Sequence, residues 1–180
     1  MADPNRTLVT GYGPFLDVTD NPSARLAQGC GRPHRVLEVS FEAAAAFVES
    51  LDPDSFDRLL MIGVAKGREH VTPELFARNQ IGHTRDVRGE DRFGPIEAGG
   101  PMLREASLWR CEELCDLLLD RRMRVSMDAG RYLCNYVAYR ALMRFPEKRV
   151  GFLHVPDPAQ MALESQAEVL QRVLAAIEVG

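Results

Sequence analysis

No two of the four cysteines in this chain, at positions 30, 111, 115 and 134, are spaced as a CxxC pair. In an intracellular protein such a scatter reads as reduced thiols and not as a disulfide framework. Cys111 and Cys115 stand one helical turn apart, but no histidine or second cysteine pair follows at ligand spacing, so no metal site is expected and the two read as half-buried helix residues. The chain also lacks any run of roughly 18 to 20 apolar residues that would span a bilayer, and its Met-Ala-Asp-Pro-Asn-Arg start lacks the apolar core of a secretory signal. These absences point away from membranes and to the cytoplasm. A basic excess is missing too: 22 Lys+Arg stand against 26 Asp+Glu, a formal net charge of -4. Apart from a short cluster at Arg121, Arg122 and Arg124 the cations are dispersed, so nucleic acid is not the expected partner.

What is present is enough apolar material, 46% of 180 residues, for one sizeable core, and a single domain over 1–180 is expected. There is no internal repeat or low-complexity tract. Thr7 to Tyr12 reads as a strand running into a Gly-Tyr-Gly-Pro loop, and Asn21-Pro-Ser as a cap with proline in the first turn of a short helix through Ala27. Val36 to Phe41 alternates like a strand, and the alanine-rich stretch from Glu42 to Leu51 has strong helix propensity. Arg58 to Val64 and Arg149 to Val155 are continuous apolar runs, the pattern of strands covered on both faces.

Gln80 to Pro101, rich in Gly, Arg, Asp and His, reads as a long surface loop with room for a small hairpin. Leu108 to Leu119 and Gly130 to Met143 have helical spacing, Arg124 to Met127 reads as a short strand, and Ala159 to Val179 as a long amphipathic closing helix. This alternation predicts an α/β fold: a single open, mostly parallel twisted sheet with helices on both faces, a three-layer sandwich. Ligands of such sheets bind beyond the carboxyl ends of the strands.

Three segments carry residue types suited to nucleophilic chemistry. Ser126 to Asn135 places Cys134 in the first turns of a helix, where free N–H groups and the helix dipole favour a thiolate and can hold an oxyanion. The bland alternative is a small buried thiol. Phe152-Leu-His154-Val-Pro puts an imidazole at the end of a buried strand that follows the Cys134 helix directly, so the two ends are expected to be neighbours. Gly67 to Asn79 offers Glu69 and Glu74 to orient an imidazole, and spacing does not choose between them. Thr10-Gly-Tyr-Gly-Pro-Phe15 contains Gly-x-Gly after a strand, but it lacks a third glycine and Pro14 removes a donor; a small, flat apolar pocket suits it better than a nucleotide phosphate.

Taken together, Thr10 to Phe15 with Asn21-Pro-Ser, Gly67 through Glu74 and Asn79, Ser126 through Asn135, and Gly151-Phe-Leu-His-Val-Pro156 resemble the pyroglutamyl-peptidase I (pyrrolidone-carboxylate peptidase) family, in the family's order and across most of the chain. The resemblance implies a cysteine peptidase that removes an N-terminal pyroglutamyl residue from peptides. It implies Cys134 as nucleophile, His154 as general base then acid, and Glu74, not Glu69, as the orienting carboxylate. The substrate pocket would map onto Tyr12 and Phe15, whose rings would sandwich the lactam, with Asn21, Tyr132 and Leu133 nearby. The loop arginine of the family aligns with Arg85 when one residue is inserted. No cofactor or metal enters this chemistry, and the resemblance implies a homodimer or homotetramer. The sequence departs from the family at Tyr12, where Phe is usual, at Val64, where Gln is frequent, and at Glu38, where Pro is common. Two rival readings remain: a relative that binds pyroglutamyl peptides without cleaving them, and a nucleotide-binding α/β module.

Overall fold

The structure, a computed structural model, describes residues 3–15 and 19–179. The first two residues of the N-terminal stretch read above lie outside it. The strands are β1 (Thr7–Tyr12), β2 (His34–Leu37), β3 (Arg58–Val64), β4 (Thr72–Glu74), β5 (Phe76–Arg78), β6 (Leu103–Glu105) and β7 (Arg149–Val155). The helices are α1 (Pro22–Gly29), α2 (Phe41–Ser50), α3 (Cys111–Leu117), α4 (Leu133–Arg144) and α5 (Leu163–Ile177). The main sheet has the order β2-β1-β3-β7-β4, parallel except for β4, which runs antiparallel to β7. β5 and β6 form a separate antiparallel ribbon.

Alternation along the central strands divides the interior into two cores. Leu59, Met61, Val150 and Phe152 face α2 and α4, meeting Phe41, Val48, Tyr136 and Tyr139. Val9, Leu60, Ile62, Leu153 and Val155 face α1 and α5, meeting Leu26, Ala27, Val169 and Val173. Each fully buried Leu, Ile, Val or Phe of these layers stabilises the fold by about 1.5–3 kcal/mol. Helix α1 lies so close to β1 that a Cβ on Gly11 would sit 2.1 Å from the Ser23 carbonyl oxygen. Among the described residues no helix is long and apolar enough to cross a membrane.

Several expected boundaries are corrected. Arg124–Met127 is not a strand; Met123 and Ser126 make only isolated bridges to Val71 and Glu74. Pro73, in the middle of the neighbouring edge, has no N–H to give and only accepts from the Ser126 amide at 3.0 Å, so the ladder cannot extend. The stretch Val36–Phe41 divides: β2 ends at Leu37, and Phe41 opens α2 because the Ser40 hydroxyl accepts from the Ala43 amide at 3.1 Å as an N-cap. Helix α3 is shorter than its apolar spacing, α4 begins at Leu133 after Gly130 turns the chain at φ 81°, and α5 begins at Leu163. The segment 80–101 does contain a hairpin-like turn, bridged at Ile81 with Gly94 and at Arg85 with Asp91.

Candidate active site

Strand order places β1 and β3 side by side while their following connections leave in opposite directions, β1 toward β2 and β3 toward β7. The carboxyl ends of two such strands leave a crevice between them. It is filled by a cavity of about 120 Å³ lined by Tyr12, Phe15, Asn21, Val39, Val64, Lys66, Tyr132, Leu133 and Cys134. Five of the residues expected to hold substrate therefore do meet here, and Cys134 is at their edge.

Each wall has a local cause. Asn21 caps α1: its Oδ1 accepts from the Ser23 amide at 3.1 Å and the Ser23 hydroxyl at 2.8 Å, and its Nδ2 donates to the Gly13 carbonyl at 2.9 Å. Its polar atoms thus tie the Gly-Tyr-Gly-Pro loop to the helix. The Tyr12 hydroxyl donates to the Leu133 carbonyl at 3.4 Å, and burial beside Cys134 and Tyr132 pushes its pKa well up, so it remains a neutral phenol. The aromatic rings in contact are Phe15 and Tyr132, with centroids 5.6 Å apart, and the edge of Phe41 packs on Tyr132 at 5.8 Å. Arg85 is exposed and does not line the cavity; its carbonyl accepts the Tyr132 hydroxyl at 3.0 Å, so its contact with the site is through the main chain.

Cys134 is the second residue of α4, and its sulfur rests over β3. A Cβ built on Gly63 would stand 2.9 Å from Cys134 Sγ and 2.8 Å from Phe152 Cζ. Gly63 is in turn the parallel register partner of His154 on β7. The glycine is therefore the seat that lets the thiol drop onto the sheet, at the register partner of His154. We expect Gly63→Ala to cost roughly 1–3 kcal/mol through overpacking, because the added methyl must displace the sulfur or the Phe152 ring. Thermal melts check this, and an alanine variant with native stability would show that the close approach is immaterial.

His154 Nδ1 lies 2.6 Å from Glu74 Oε1, and both side chains are almost entirely buried, at 6% and 2% exposure. Glu74 sits on β4 opposite Phe152, and Trp109 Nε1 donates to its carbonyl at 3.0 Å. Glu69, by contrast, is exposed. Burial opposes the ionised form of Glu74, but the hydrogen bond and charge of His154, Ser126 and the Arg68 cation outweigh it and hold the carboxyl below its ordinary value. Burial is also the main influence on His154, and with the Arg68 charge it brings the imidazole below its ordinary 6.5 despite Glu74. The pair at neutral pH is thus a carboxylate and a neutral ring.

The thiolate expected at the helix start is not what the surroundings favour. Burial, and then the negative charge of Glu74, push the Cys134 thiol up to about 12, outweighing a backbone hydrogen bond and Arg68. Desolvation here exceeds what one helix terminus supplies. Val39, Lys66 and Arg68 belong to the site and were not singled out in the sequence. Their one legible signal was position, since all three follow the carboxyl end of a strand.

The sequence model of the pyroglutamyl peptidase family matches residues 5–180. The chain belongs to that family. Among its relatives, pyrrolidone-carboxylate peptidase of Deinococcus radiodurans is 34% identical over an alignment covering 89% of this chain and 82% of that protein. The enzyme of the same designation from Oceanobacillus iheyensis is 30% identical, covering 88% and 87%. A mutant pyrrolidone carboxyl peptidase from Pyrococcus furiosus superposes with a TM-score of 0.84 at 28% identity, covering 94% of this chain and 96% of that one. Pyroglutamyl peptidase I from Bacillus amyloliquefaciens shares the fold at a TM-score of 0.88 and 23% identity, covering 97% of each. The mostly parallel α/β sheet expected from the sequence is therefore the fold of this cysteine peptidase family.

Proposed function

We propose that this chain hydrolyses the amide bond after an N-terminal pyroglutamyl residue, with Cys134 as nucleophile, His154 as general base and acid, and Glu74 as the group that orients and stabilises the imidazole. The observation that carries the reading is the buried Glu74–His154 hydrogen bond of 2.6 Å next to a thiol seated over Gly63 at the edge of an apolar cavity. Pyroglutamate is a neutral ring without a free α-amino charge, and a slot walled by Tyr12, Phe15, Val39, Val64, Tyr132 and Leu133 admits it. An ordinary charged N-terminus would lose its hydration there without recompense.

In the first step the Cys134 proton passes to the free nitrogen of His154 as sulfur bonds to the pyroglutamyl carbonyl carbon. Backbone N–H groups at the start of α4, that of Cys134 among them, face the resulting oxyanion. Collapse of the adduct breaks the C–N bond, and the imidazolium returns its proton to the departing amine. Water, deprotonated by His154, then attacks the thioester carbon; the C–S bond breaks, pyroglutamate leaves, and the imidazolium returns the proton to the Cys134 sulfur. Throughout, Glu74 holds Nδ1–H and balances the imidazolium charge.

The protonation states give this mechanism a pH signature. A base must be neutral to accept a proton, and His154 is depressed below 6.5, so kcat/KM is lost only as pH falls through that lowered value. The thiol, pushed to about 12, brings no alkaline limb near the ordinary 9.0. The expected profile for a pyroglutamyl-aminomethylcoumarin substrate is one acid limb below 6.5 and a plateau to about pH 9. An alkaline limb centred near the ordinary thiol value would indicate instead a pre-formed thiolate–imidazolium pair. No hydrolysis of this substrate, with binding retained, would favour the non-cleaving relative.

A further inference from the structure

We propose that Arg68 is a positioning residue for this reaction, clamping Glu74 against His154 and tying the carboxylate to the segment that leads into the Cys134 helix. The inference rests on the triad reading above and adds a residue to it. Arg68 lies between β3 and β4, and its Nη1 donates to Glu74 Oε1 at 2.5 Å, the same oxygen that faces His154. The same nitrogen reaches Thr72 Oγ1 at 2.5 Å, while Nη2 donates to the Asp128 carbonyl at 2.8 Å. One rigid fork therefore joins its own loop, β4 and the turn before α4, a geometry that a flexible ammonium reproduces only in part.

The carboxylate depends on this grip. Glu74 Oε2 is buried with no hydrogen-bond partner among the described residues, whereas the bonds to His154 and Arg68 both converge on Oε1. Without Arg68 that oxygen would keep the imidazole but lose the guanidinium, the cation paired with this buried negative charge. Arg68 is not among the residues that line the cavity, so its expected effect is on the carboxylate and not on the fit of the ring.

The groups that act on the imidazole are Glu74 from β4, Arg68 from the β3–β4 loop and the Phe152 ring from its own strand, while the Cys134 thiol from α4 sits over Gly63, the register partner of His154. Ser126 stands beside Glu74, and the Asp128 carboxylate is engaged by Arg78 Nε at 3.3 Å and the Gly130 amide at 3.0 Å. Lys66 stands at the cavity wall. Of these, the Arg68 charge lowers the affinity of His154 for a proton and Glu74 raises it.

The test measures kcat and KM against pH, with thermal melts, for wild type, R68Q, R68K and C134S on pyroglutamyl-aminomethylcoumarin. R68Q is expected to lower kcat by about thirtyfold with KM changed less than about threefold, and to move the acid limb up by about one pH unit, because the positive charge that disfavours imidazolium is gone. R68K is expected to return the limb to its wild-type position and to recover kcat to within about tenfold. An R68Q enzyme with native kcat, or one whose loss of rate leaves the limb in place, would overturn the proposal. Where R68Q does not fold, R68K decides: full kcat from a cation lacking the fork to Asp128 overturns the clamp, and a reduced kcat with an unmoved limb supports it. Activity retained in C134S overturns the triad reading and this proposal with it, whereas an inactive C134S beside an unaffected R68Q overturns the proposal alone.

Discussion

Replacement of Cys134 by serine is expected to reduce hydrolysis of pyroglutamyl-aminomethylcoumarin by at least about a thousandfold while leaving the fold intact. The thiol has no local substitute: among the described cysteines Cys30 is buried elsewhere, against α1 and α5, and Cys111 and Cys115 are exposed on α3. Serine is slightly smaller than cysteine, so the tight seat over Gly63 and Phe152 admits it without the collision that a larger group would cause. Its hydroxyl is a far weaker acid than the thiol, so an imidazole whose affinity for a proton is already lowered activates it less well. Melting should stay within about 3 °C of wild type, since no buried polar group loses a partner. Iodoacetamide labelling gives an independent check. The exposed pair should react readily without loss of activity, and inactivation should follow modification of Cys134 only. Activity loss that tracks Cys111 or Cys115, or a serine variant with a tenth of native activity, would remove Cys134 from the mechanism.

The parts of the fold that were legible in the sequence are those in which one short-range signal dominates. Arg58–Val64 and Arg149–Val155 are strands with the expected bounds, because a short apolar run covered on both faces has one way to bury itself, and Thr7–Tyr12 is a strand that ends at its Gly-Tyr-Gly-Pro loop. Asn21 and Pro22 marked the start of α1 by capping chemistry alone. What escaped were β4, β5 and β6, each three residues long. A period of two has no room to show itself over such a length, and β4 contains a proline that argues against a strand until its pairing partner is known.

The site divides in the same manner. Cys134 and His154 could be expected at one rim because each follows or ends a recognisable element, and the thiol does sit over Gly63, the register partner of His154. Spacing could not separate Glu69 from Glu74, a choice that only the family resemblance made, since the difference between them is tertiary: one is exposed, and the other is drawn under the sheet edge by pairing with Phe152. Arg68 was hidden for the same reason. An arginine in a polar loop looks solvated until the carboxylate and carbonyl it grips are seen to converge from segments 6 and 60 residues away.

Glu74→Gln isolates charge from shape, and is expected to lower kcat/KM by about a thousandfold or more. Glutamine can place its amide oxygen where Oε1 stands, so both the His154 ring nitrogen and Arg68 keep a partner. What it cannot keep is the negative charge, and the imidazolium formed during thiol attack then faces Arg68 with nothing to offset it. The new NH2 group would fall at the Oε2 position, which is buried and has no partner among the described residues. Stability should therefore drop modestly at neutral pH, by about 1–3 kcal/mol for an unsatisfied donor.

The sign of the pH dependence follows from the lowered Glu74 pKa. A carboxyl held below its ordinary 4.5 contributes stability that is present above 4.5 and is lost as pH falls through the folded value. Wild type should lose that contribution on acidification and the glutamine variant should not, so their melting temperatures should converge toward low pH. Kinetics at neutral pH and melts across the acid range check both halves. An E74Q enzyme within about tenfold of wild type, set beside an inactive E69Q, would transfer the orienting role to Glu69 and break the link between burial of this carboxylate and catalysis.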